Sequence, residues 1–451
     1  MNPPPQNNSS ASWQSLVRQW LRPGLGIKRW MLTLLLAMVA MGVAITFLVV
    51  EIYQGGWLPG WLYALSLQWF PRPVRAILLF IVAIPLLWYS LRELKRNFFQ
   101  PLQPIQQQAL SLVTRNRKLS NGPRIVAIGG GTGLSTLLRG LKKYTANITA
   151  IVTVADDGGS SGRLRSDYGM LPPGDLRNCL AALADDESLI TQLFQYRFGG
   201  EGDIGGHSFG NLFLTAMTGV TGSFDRALVE SGRVLAIQGQ VLPASLENLT
   251  LCAEIRPKNG GRVIRVRGES AIPTTDGKIQ RVFLEPHNVA AFPSAIQAIL
   301  SADVVVAGPG SLFTSIIPNL LVPDITAALL ASSALRVLVV NTATQPGETD
   351  QYSVADHVAA VEKHTQYGIF PLVLANDNQS GAMRPNLEWV ATQPSPNGFR
   401  EVILADLADD ARPWRHSSEK LAREIMNLYQ RANQQSQTPI PLQGVAQIHS
   451  N

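Results

Sequence analysis

Residues 124–141 read RIVAIGGGTGLSTLLRGL, and this stretch decides the fold. An apolar run, Ile125 to Ile128, breaks into Gly129, Gly130, Gly131, Thr132 and Gly133, and a helical pattern of leucines follows. Glycines remove side chains where backbone must approach a ligand, and a helix start offers unsatisfied N–H groups to an anion. The stretch therefore predicts a strand, a phosphate-binding turn and a helix, with a tight turn that binds nothing as the alternative.

The glycine turn matches neither of the two common nucleotide motifs. No Lys precedes a Ser or Thr in GGGTGLS, so it is not a P-loop. Leu134 stands where the third glycine of G-x-G-x-x-G would be, so the dinucleotide-binding motif also fails. A nucleotide-like ligand is still the first hypothesis, but neither motif identifies which nucleotide it is.

A second polar segment follows the next apolar run, at residues 155–162 with the sequence ADDGGSSG. It begins where the second strand of an open α/β sheet would end, beside the glycine turn. Its candidate ligand-binding residues are Asp156, Asp157, Gly158, Ser160 and Ser161. The paired carboxylates could hold ribose hydroxyls, a divalent cation or a polar ring, and a solvated Asx turn is the alternative.

A third segment, PPGDLRN at residues 172–178, places Asp175 near a helix N-terminus. Arg177 is available for a phosphate and Asn178 for a polar ligand group. Without the other segments, an ordinary capped helix start would explain this sequence.

Three more small, polar loops occur farther along the chain. His207 and Asn211 lie in GGHSFGN (205–211), where His207 could act as an acid or base or be a turn residue. Gly308, Gly310 and Ser311 follow a buried strand, and NTATQPGET (341–349) follows another. Loops at the carboxyl ends of strands meet at one edge of a parallel sheet, so these loops predict one binding cleft.

Short, β-branched runs separated by helical patterns predict an α/β fold with a mostly parallel, Rossmann-like sheet. The predicted strands are Ile125 to Ile128, Ile148 to Val154, Val304 to Ala307, Val337 to Val340 and Leu372 to Leu374. Between Leu249 and Leu284, turn signals at 259–261 and 276–277 divide strand-like runs. This part predicts an antiparallel insertion.

The N-terminal part contains two apolar runs, Met31 to Val50 and Ala76 to Leu91. The first is long enough to span a bilayer, while the second is shorter and contains Pro85. A signal peptide and a buried core helix are the respective alternatives. Basic residues lie before the first run and after the second, so the positive-inside bias predicts that both ends lie in the cytoplasm. They are Arg18, Arg22, Lys28, Arg29, Arg92, Lys95 and Arg96.

We therefore expect five segments. They are a disordered, basic N-terminal segment (1–30), a transmembrane hairpin (31–91), a linker (92–122), an α/β ligand-binding domain (123–430) and a disordered tail (431–451). The predicted location is the inner membrane, with the N-terminus and the main domain in the cytoplasm.

Composition limits the remaining classes of protein. The 451 residues are 46% hydrophobic and 16% charged, which is typical of a globular chain. The two cysteines, Cys179 and Cys252, match no metal or redox spacing and are expected to be buried. The net charge of +6 comes without a Lys/Arg block interleaved with aromatics, so we do not expect nucleic acid as a partner.

The ordered set of segments resembles the YvcK group of the CofD-like family, over about residues 124–430. The segments are IGGGTGLS (128–135), VTVADDGGSSGRL (152–164), PPGDLRNCLAAL (172–183), GHSFGNLFL (206–214), AGPGSLFTSI (307–316) and NTATQPGETD (341–350). The resemblance implies a Rossmann-like domain that binds UDP-sugars such as UDP-N-acetylglucosamine and supports cell shape and envelope synthesis under gluconeogenic growth. The CofD branch of the family is a Mg²⁺-dependent 2-phospho-lactate transferase.

The resemblance also assigns roles to residues. Gly129 to Gly133 would face the diphosphate, and Gly308, Gly310 and Ser311 would close the cleft. Asp156 or Asp157, together with Asp175, match carboxylates that hold metal in the transferase branch, and Asp157 and Asp175 are the metal ligands we expect. Arg415 lies in a segment similar to the RHD segment of the group, although Ser417 replaces its aspartate.

Two functional classes follow, with no cofactor required by the first. The first is a membrane-tethered, UDP-sugar-binding regulator that acts through an envelope-synthesis partner and is expected to be a homo-oligomer. No catalytic residue is assigned to it. The second is a transferase that uses Mg²⁺ at Asp157 and Asp175. A dehydrogenase with Asp156 on a ribose is a third reading, which the failed dinucleotide motif disfavours.

Overall fold

The computed structural model describes residues 117–185, 187–200, 202–392 and 401–437, with six isolated residues nearer the N-terminus. The chain divides into two compact units, Met1–Gln107 and Gln108–Asn451, and all elements described below belong to the second. The predicted transmembrane runs, 31–50 and 76–91, and the disordered segment at 1–30 fall outside the described residues, apart from isolated positions.

The strands of the described part alternate with helices. In chain order they are β1 (Ile125–Gly129), β2 (Ile148–Val152), β3 (Gln240–Pro243), β4 (Thr250–Arg256), β5 (Ile264–Arg267), β6 (Lys278–Glu285), β7 (Val304–Ala307), β8 (Leu335–Val339), β9 (Leu372–Asn376) and β10 (Glu401–Ala405).

The helices are α1 (Gly131–Leu141), α2 (Gly159–Tyr168), α3 (Gly174–Leu183), α4 (Glu187–Gln195), α5 (Phe209–Thr221), α6 (Phe224–Val234), α7 (Pro293–Ser301), α8 (Ile317–Leu320), α9 (Pro323–Ala331), α10 (Val354–His364) and α11 (Ser418–Gln437). A π-helical turn, Leu312–Ile316, precedes α8. The end of α11 lies inside the segment 431–451 that was predicted to be a disordered tail.

The main sheet has seven parallel strands in the order β10-β9-β8-β7-β1-β2-β3. Every residue of β1, β2 and β7 is buried, as expected for β-branched runs covered by helices on both faces. The predicted α/β class and the five predicted strands are confirmed. β3 and β10, the two edge strands, were not predicted.

The predicted antiparallel insertion is also confirmed. β4 pairs with β5 on one side and with β6 on the other, forming a second, three-stranded sheet in the order β5-β4-β6. Gly260 and Gly277 have positive φ angles of 77° and 158° in the two turns, which favours glycine at both positions.

Successive strands are added on one side of β1 up to β3, and on the opposite side from β7 onward. From β1 the strands run outward to β2 and β3, and from β7 they run the opposite way to β10. The loops after β1 and β7 lie next to each other at this reversal, and ligands of open α/β sheets bind at such a point. The fold thus places the predicted glycine turn at the switch point.

The helix α1, which begins at this point, is held by the last helix of the described chain. A Cβ on Gly140 of α1 would overlap the carbonyl of Ser418, the first residue of α11. Leu421 and Ala422 of α11 are fully buried. Glycine at 140 therefore lets the two helix backbones approach closely.

Within the described residues, no single helix combines the length and apolar composition needed to cross a bilayer. One pair, Leu312–Leu320 with Pro323–Ala331, passes that test only when taken together, and it is bent by 73°. The cysteines Cys179 and Cys252 are both buried and unbridged, as expected.

Candidate functional site

The loops after β1 and β7 touch each other at the switch point. A Cβ on Gly133 would lie 2.5 Å from the carbonyl oxygen of Pro309. Gly131 has a φ of 62°, in the left-handed region that favours glycine. Gly129 is the last residue of β1 and is buried behind this contact. The glycines are therefore needed for backbone approach, beyond what a simple turn requires.

The N-terminus of α1 opens toward this contact. Gly130 is the N-cap residue and has no side chain to cap the helix, while the carboxylate of Asp175 accepts the N–H of Gly131. The first turn, Gly131 to Leu134, carries no acidic residue. A helix start with this composition favours an anionic group through its N–H groups and dipole.

The turn after β7 is fixed by two amide side chains. Gly310 donates its N–H to Asn341 Oδ1 at 3.2 Å, and Asn341 Nδ2 donates to the carbonyl of Gly310 at 2.9 Å. Gln345 Nε2 donates to Ser311 Oγ at 2.8 Å. Gly308 has a φ of 84° and lies under the turn. The predicted loop at 341–349 thus serves to hold the wall opposite the glycine turn.

A cleft of about 440 Å³ lies between these two walls. It extends from the glycine turn toward the segment that precedes α11. Its lining residues share a small, polar character at one end and include larger side chains at the other: Gly130, Gly131, Thr132, Gly133, Thr136, Pro273, Pro309, Gly310, Ser311, Ser315, Asn341, Thr342, Ala343, Thr344, Gln345, Pro346, Glu348, Leu387, Trp414, Arg415 and His416. Seven of the sequence-predicted residues are among them.

The predicted carboxylates lie around the glycine turn but do not line the cleft. Asp175 is directly behind it, because a Cβ on Gly130 would overlap its carboxylate. Burial and the charge of Asp156 raise the pKa of Asp175 to about 6, while a hydrogen bond from the Gly131 N–H opposes this rise. Asp156 Oδ1 accepts the N–H of Gly158 at 2.9 Å, which is an Asx turn.

Asp157 is directed away from the glycine turn, toward the connection between β5 and β6. Its Oδ1 accepts the N–H of Ser270 at 2.9 Å, and a Cβ on Gly268 would overlap its other oxygen. Among the described residues, no group of three or more His, Cys, Asp or Glu is arranged to hold a metal ion. The predicted metal ligands Asp157 and Asp175 each accept a backbone N–H, from Ser270 and Gly131 respectively.

The predicted polar residues near α2 form a buried hydrogen-bond network. Ser160 Oγ is 2.9 Å from His207 Nδ1 and accepts from Asn211 Nδ2 at 3.0 Å. Asn211 Nδ2 also lies 3.4 Å from Ser161 Oγ. These contacts join the N-termini of α2 and α5. Burial lowers the pKa of His207 and so favours its neutral ring.

Three more predicted residues, Arg177, Asn178 and Arg415, lie on the other side of α1. Arg177 donates to Ser208 Oγ and to Asn178 Oδ1, so its guanidinium binds its own neighbours. Asn178 and Arg415 line a second cavity of about 270 Å³ that shares Thr132 and Thr136 with the main cleft. The structure thus brings Arg415 to the glycine turn and leaves Arg177 engaged elsewhere.

Two buried carboxylates near the cleft were not singled out from the sequence. Glu348 is only 8% exposed, accepts from the Phe313 N–H and the Thr314 hydroxyl, and burial raises its pKa to about 7. Burial and the charges of Asp156 and Asp175 raise the pKa of Glu269 to about 8. Both follow a glycine with a positive φ angle, Gly268 directly after β5 and Gly347 in the loop after β8, and this is the local signal that could have indicated them.

The strand order, the glycine-rich helix start and the cleft at the switch point define a doubly wound α/β domain of the kind that binds phosphate-bearing ligands. Comparison with known proteins narrows this class. The model of the family described as "2-phospho-L-lactate transferase CofD" matches residues 125–396. This chain belongs to the CofD family, and within it to the gluconeogenesis factor group.

The relatives that define the group are similar over most of the chain. A protein of Nostoc sp. named "Putative gluconeogenesis factor" is 46% identical over 91% of this chain and 92% of its own. The gluconeogenesis factor of Bacillus subtilis is 52% identical over 56% of this chain and 78% of its own. A crystal structure of a UPF0052 family protein from Bacillus halodurans is 42% identical, with a TM-score of 0.62 over 68% of this chain and 99% of that one.

Proposed function

We propose that the protein binds a nucleoside diphosphate sugar of the UDP-N-acetylglucosamine type in the cleft at the switch point. The observation that carries this proposal is the close approach of the start of α1 at Gly133 to the turn at Pro309 and Gly310. Two facing walls of backbone and hydroxyl donors suit a diphosphate better than a neutral ligand. The diphosphate would lie between Thr132 and Ser311.

The larger side chains that line the cleft suit a nucleoside or sugar beside the diphosphate. Leu387 and Trp414 supply apolar surface, and Arg415 lines the cleft together with the glycine turn. Ligand pockets typically combine apolar walls with a few polar groups. An arginine side chain can donate two parallel N–H bonds to two oxygens of one phosphate. This arrangement accommodates the ring and the charge of one ligand together.

The biological role we propose is that of a membrane-tethered regulator. In this role the ligand-bound domain acts on a partner in envelope synthesis and supports cell shape during growth on gluconeogenic carbon sources. The relatives' name, gluconeogenesis factor, and the apolar runs at 31–50 and 76–91 support this proposal. A reporter fused after Asn97 tests the tether: it should lie in the cytoplasm, and a signal from outside the inner membrane would contradict it.

Binding is tested by calorimetry of the purified full-length protein with UDP-N-acetylglucosamine, NAD and GDP. We expect binding of the UDP-sugar and a preference for it over the other two ligands. Substitution Gly310→Val places a side chain between the facing loops and should abolish binding, whereas Gly199→Ala, at an open surface position, should not. Absence of UDP-sugar binding at millimolar concentration would refute the proposal.

A Mg²⁺-dependent transferase of the 2-phospho-lactate type is the second candidate. One observation favours it: beside the effect of burial, the charge of Asp156 raises the pKa of Asp175, and the charges of both raise the pKa of Glu269, a repulsion that a divalent cation would relieve. This candidate predicts Mg²⁺-dependent phospholactyl transfer that Asp175→Asn removes. Lack of transfer by the unmodified protein would dispose of it and leave the binding proposal intact.

A further inference from the structure

The second cavity, of about 270 Å³, adjoins the main cleft along α1. Thr132, Thr136 and Arg415 line both spaces, so a ligand at the glycine turn lies next to the second cavity as well. Pockets that hold a whole ligand usually measure about 300–1,000 Å³. The second cavity therefore suits one group of a ligand that occupies the main cleft.

A polar face of α1 forms one wall of the second cavity. Thr132, Ser135, Thr136 and Arg139 lie three or four residues apart, which places them on one side of the helix, and every leucine of α1 is fully buried. The hydroxyls of Ser135 and Thr136 donate to carbonyls of the same helix, at 3.1 and 3.0 Å. The charge of this wall comes from Arg139.

The charge of the whole lining is positive. Three arginines, Arg139, Arg412 and Arg415, line the second cavity, and none of the described residues around it is Asp or Glu. Asn178 lines it too, and its Oδ1 accepts from Arg177 Nη2 at 3.0 Å, which leaves its Nδ2 to donate to a ligand. Like charges around one small space repel one another, so an anionic group is the ligand that this lining favours.

The acidic residues shortly before α11 are engaged elsewhere. Lys420 Nζ pairs with Asp406 and Asp410, at 2.8 and 2.7 Å. Asp409 Oδ1 accepts the backbone N–H of Arg412 at 2.8 Å. This segment thus brings two arginines to the second cavity while its carboxylates bind a lysine and a backbone N–H.

We propose that the second cavity binds a carboxylate carried by the sugar of the ligand, and that Arg139 and Arg412 select it. This inference rests on the proposed binding of a nucleoside diphosphate sugar. Arg139 and Arg412 line the second cavity but not the main cleft, so they add to Arg415, which lines both. A guanidinium donates two parallel N–H bonds to a carboxylate. The preferred ligand is therefore an acidic sugar nucleotide, with one negative charge more than UDP-N-acetylglucosamine.

The test compares two pairs of ligands by calorimetry of the full-length protein. UDP-N-acetylmuramic acid differs from UDP-N-acetylglucosamine by a lactyl ether that bears a carboxylate. UDP-glucuronic acid differs from UDP-glucose by a carboxylate in place of a hydroxymethyl group. We expect the acidic member of at least one pair to bind about tenfold or more tightly, the usual effect of a hydrogen bond to a charged group.

Salt separates charge from shape as the cause of this preference. Arg412 is exposed, so its attraction for a carboxylate is screened by added ions. The preference should shrink between about 0.1 M and about 1 M salt, over which the Debye length falls from about 10 Å to about 3 Å. A preference that is independent of salt would contradict a role for the arginine charges.

The variants locate the preference in the second cavity. Arg139→Gln and Arg412→Gln should each lower it at least about threefold. Arg412→Lys keeps the charge but not the planar fork, so it should retain more of the preference than Arg412→Gln does. Thermal unfolding of each variant identifies a loss of binding that results from misfolding.

Arg423 provides a matched control. It is an exposed arginine of α11 that pairs with Glu424 at 3.9 Å, and it lines neither cavity. Arg423→Gln removes the same charge from the protein as Arg412→Gln and should leave the preference unchanged. An equal loss in Arg423→Gln and Arg412→Gln would show an effect of net charge and would overturn the inference.

The remaining outcomes separate this inference from the proposed function. No binding of any of the four sugar nucleotides by the folded, unmodified protein would overturn the proposed function and the inference with it. Equal or weaker binding of the acidic member in both pairs would overturn the inference alone. An undiminished preference in both Arg139→Gln and Arg412→Gln would also overturn it.

Discussion

Glu348 makes the stability of this protein depend on pH, and Glu348→Gln should remove that dependence. The carboxylate is buried, and burial raises its pKa from 4.5 to about 7. Because the folded-state pKa is the higher one, folding favours the protonated form. The resulting stability is present in full below about pH 4.5 and is lost as pH rises through 7.

The magnitude follows from the two pKa values. Between about pH 5 and pH 8, a shift from 4.5 to about 7 removes about 2.5 kcal/mol from the free energy of unfolding. Gln cannot ionise, so this loss should be absent in the variant. Gln resembles the protonated carboxyl: its carbonyl oxygen can accept the Phe313 N–H while its amide donates to the Thr314 hydroxyl oxygen, so no comparable loss is expected at low pH.

The assay is urea unfolding of both proteins without ligand, at several pH values over this range. The variant should gain about 2.5 kcal/mol relative to the unmodified protein as pH rises. Glu388→Gln changes an exposed carboxylate on a neighbouring cavity and is the control, expected to show no such gain. Parallel stability curves for the Glu348 variant and the unmodified protein would refute the reasoning.

Three further predictions concern the glycine turn and its support. Gly133→Ala should weaken UDP-N-acetylglucosamine binding at least about tenfold in calorimetry, because its Cβ would push against the Pro309 carbonyl. Gly140→Ala should lower the free energy of unfolding by about 2 kcal/mol in urea, because its Cβ would overlap the Ser418 carbonyl and force α1 from α11. UDP-sugar affinity should fall about threefold or more as pH rises through 6, because ionised Asp175 opposes the diphosphate, and Asp175→Asn should flatten this dependence.

A common control exists for the two alanine variants. Gly219 lies in α5 with no atom near the position of an added Cβ, so Gly219→Ala should change neither binding nor stability by a comparable amount. Normal affinity in Gly133→Ala would contradict the close approach of the two loops. Unchanged stability in Gly140→Ala would contradict the helix contact, and a pH-independent affinity would contradict the placement of Asp175.

The local elements were predictable because each has its own sequence pattern. The apolar run, the glycines and the leucine periodicity specify β1, the turn and α1, and the turn residues at 259–261 and 276–277 specify the insertion. β3 is only four residues long and begins with an exposed Gln240, so its pattern is too short to recognise. β10 has a mostly half-buried or exposed pattern that an edge strand permits.

The arrangement around the cleft was less predictable because it depends on long-range contacts. Glu348 is buried against the turn at Phe313 and Thr314, which donates two hydrogen bonds to its carboxylate. This turn lies 34 to 35 residues earlier in the sequence. The sequence indicated Asp156, Asp157 and Asp175 as cleft walls, whereas the cavity lies on the β7 and β8 side. Which flank of a switch point is open depends on the strands and loops that cover the other flank, which residue types alone do not specify.

The contact of Gly140 with Ser418 has a consequence for biosynthesis. The ribosome completes β1, the glycine turn and α1 early in the described part of the chain, but α11 and the cleft residues Trp414 and His416 emerge last. A nascent chain therefore carries the glycine turn long before it carries the cleft, and the apolar side of α1 lacks its final partner in the meantime. A chain that ends prematurely after β9 has the turn but not the complete cleft, which forms only once synthesis has reached the C-terminal helix.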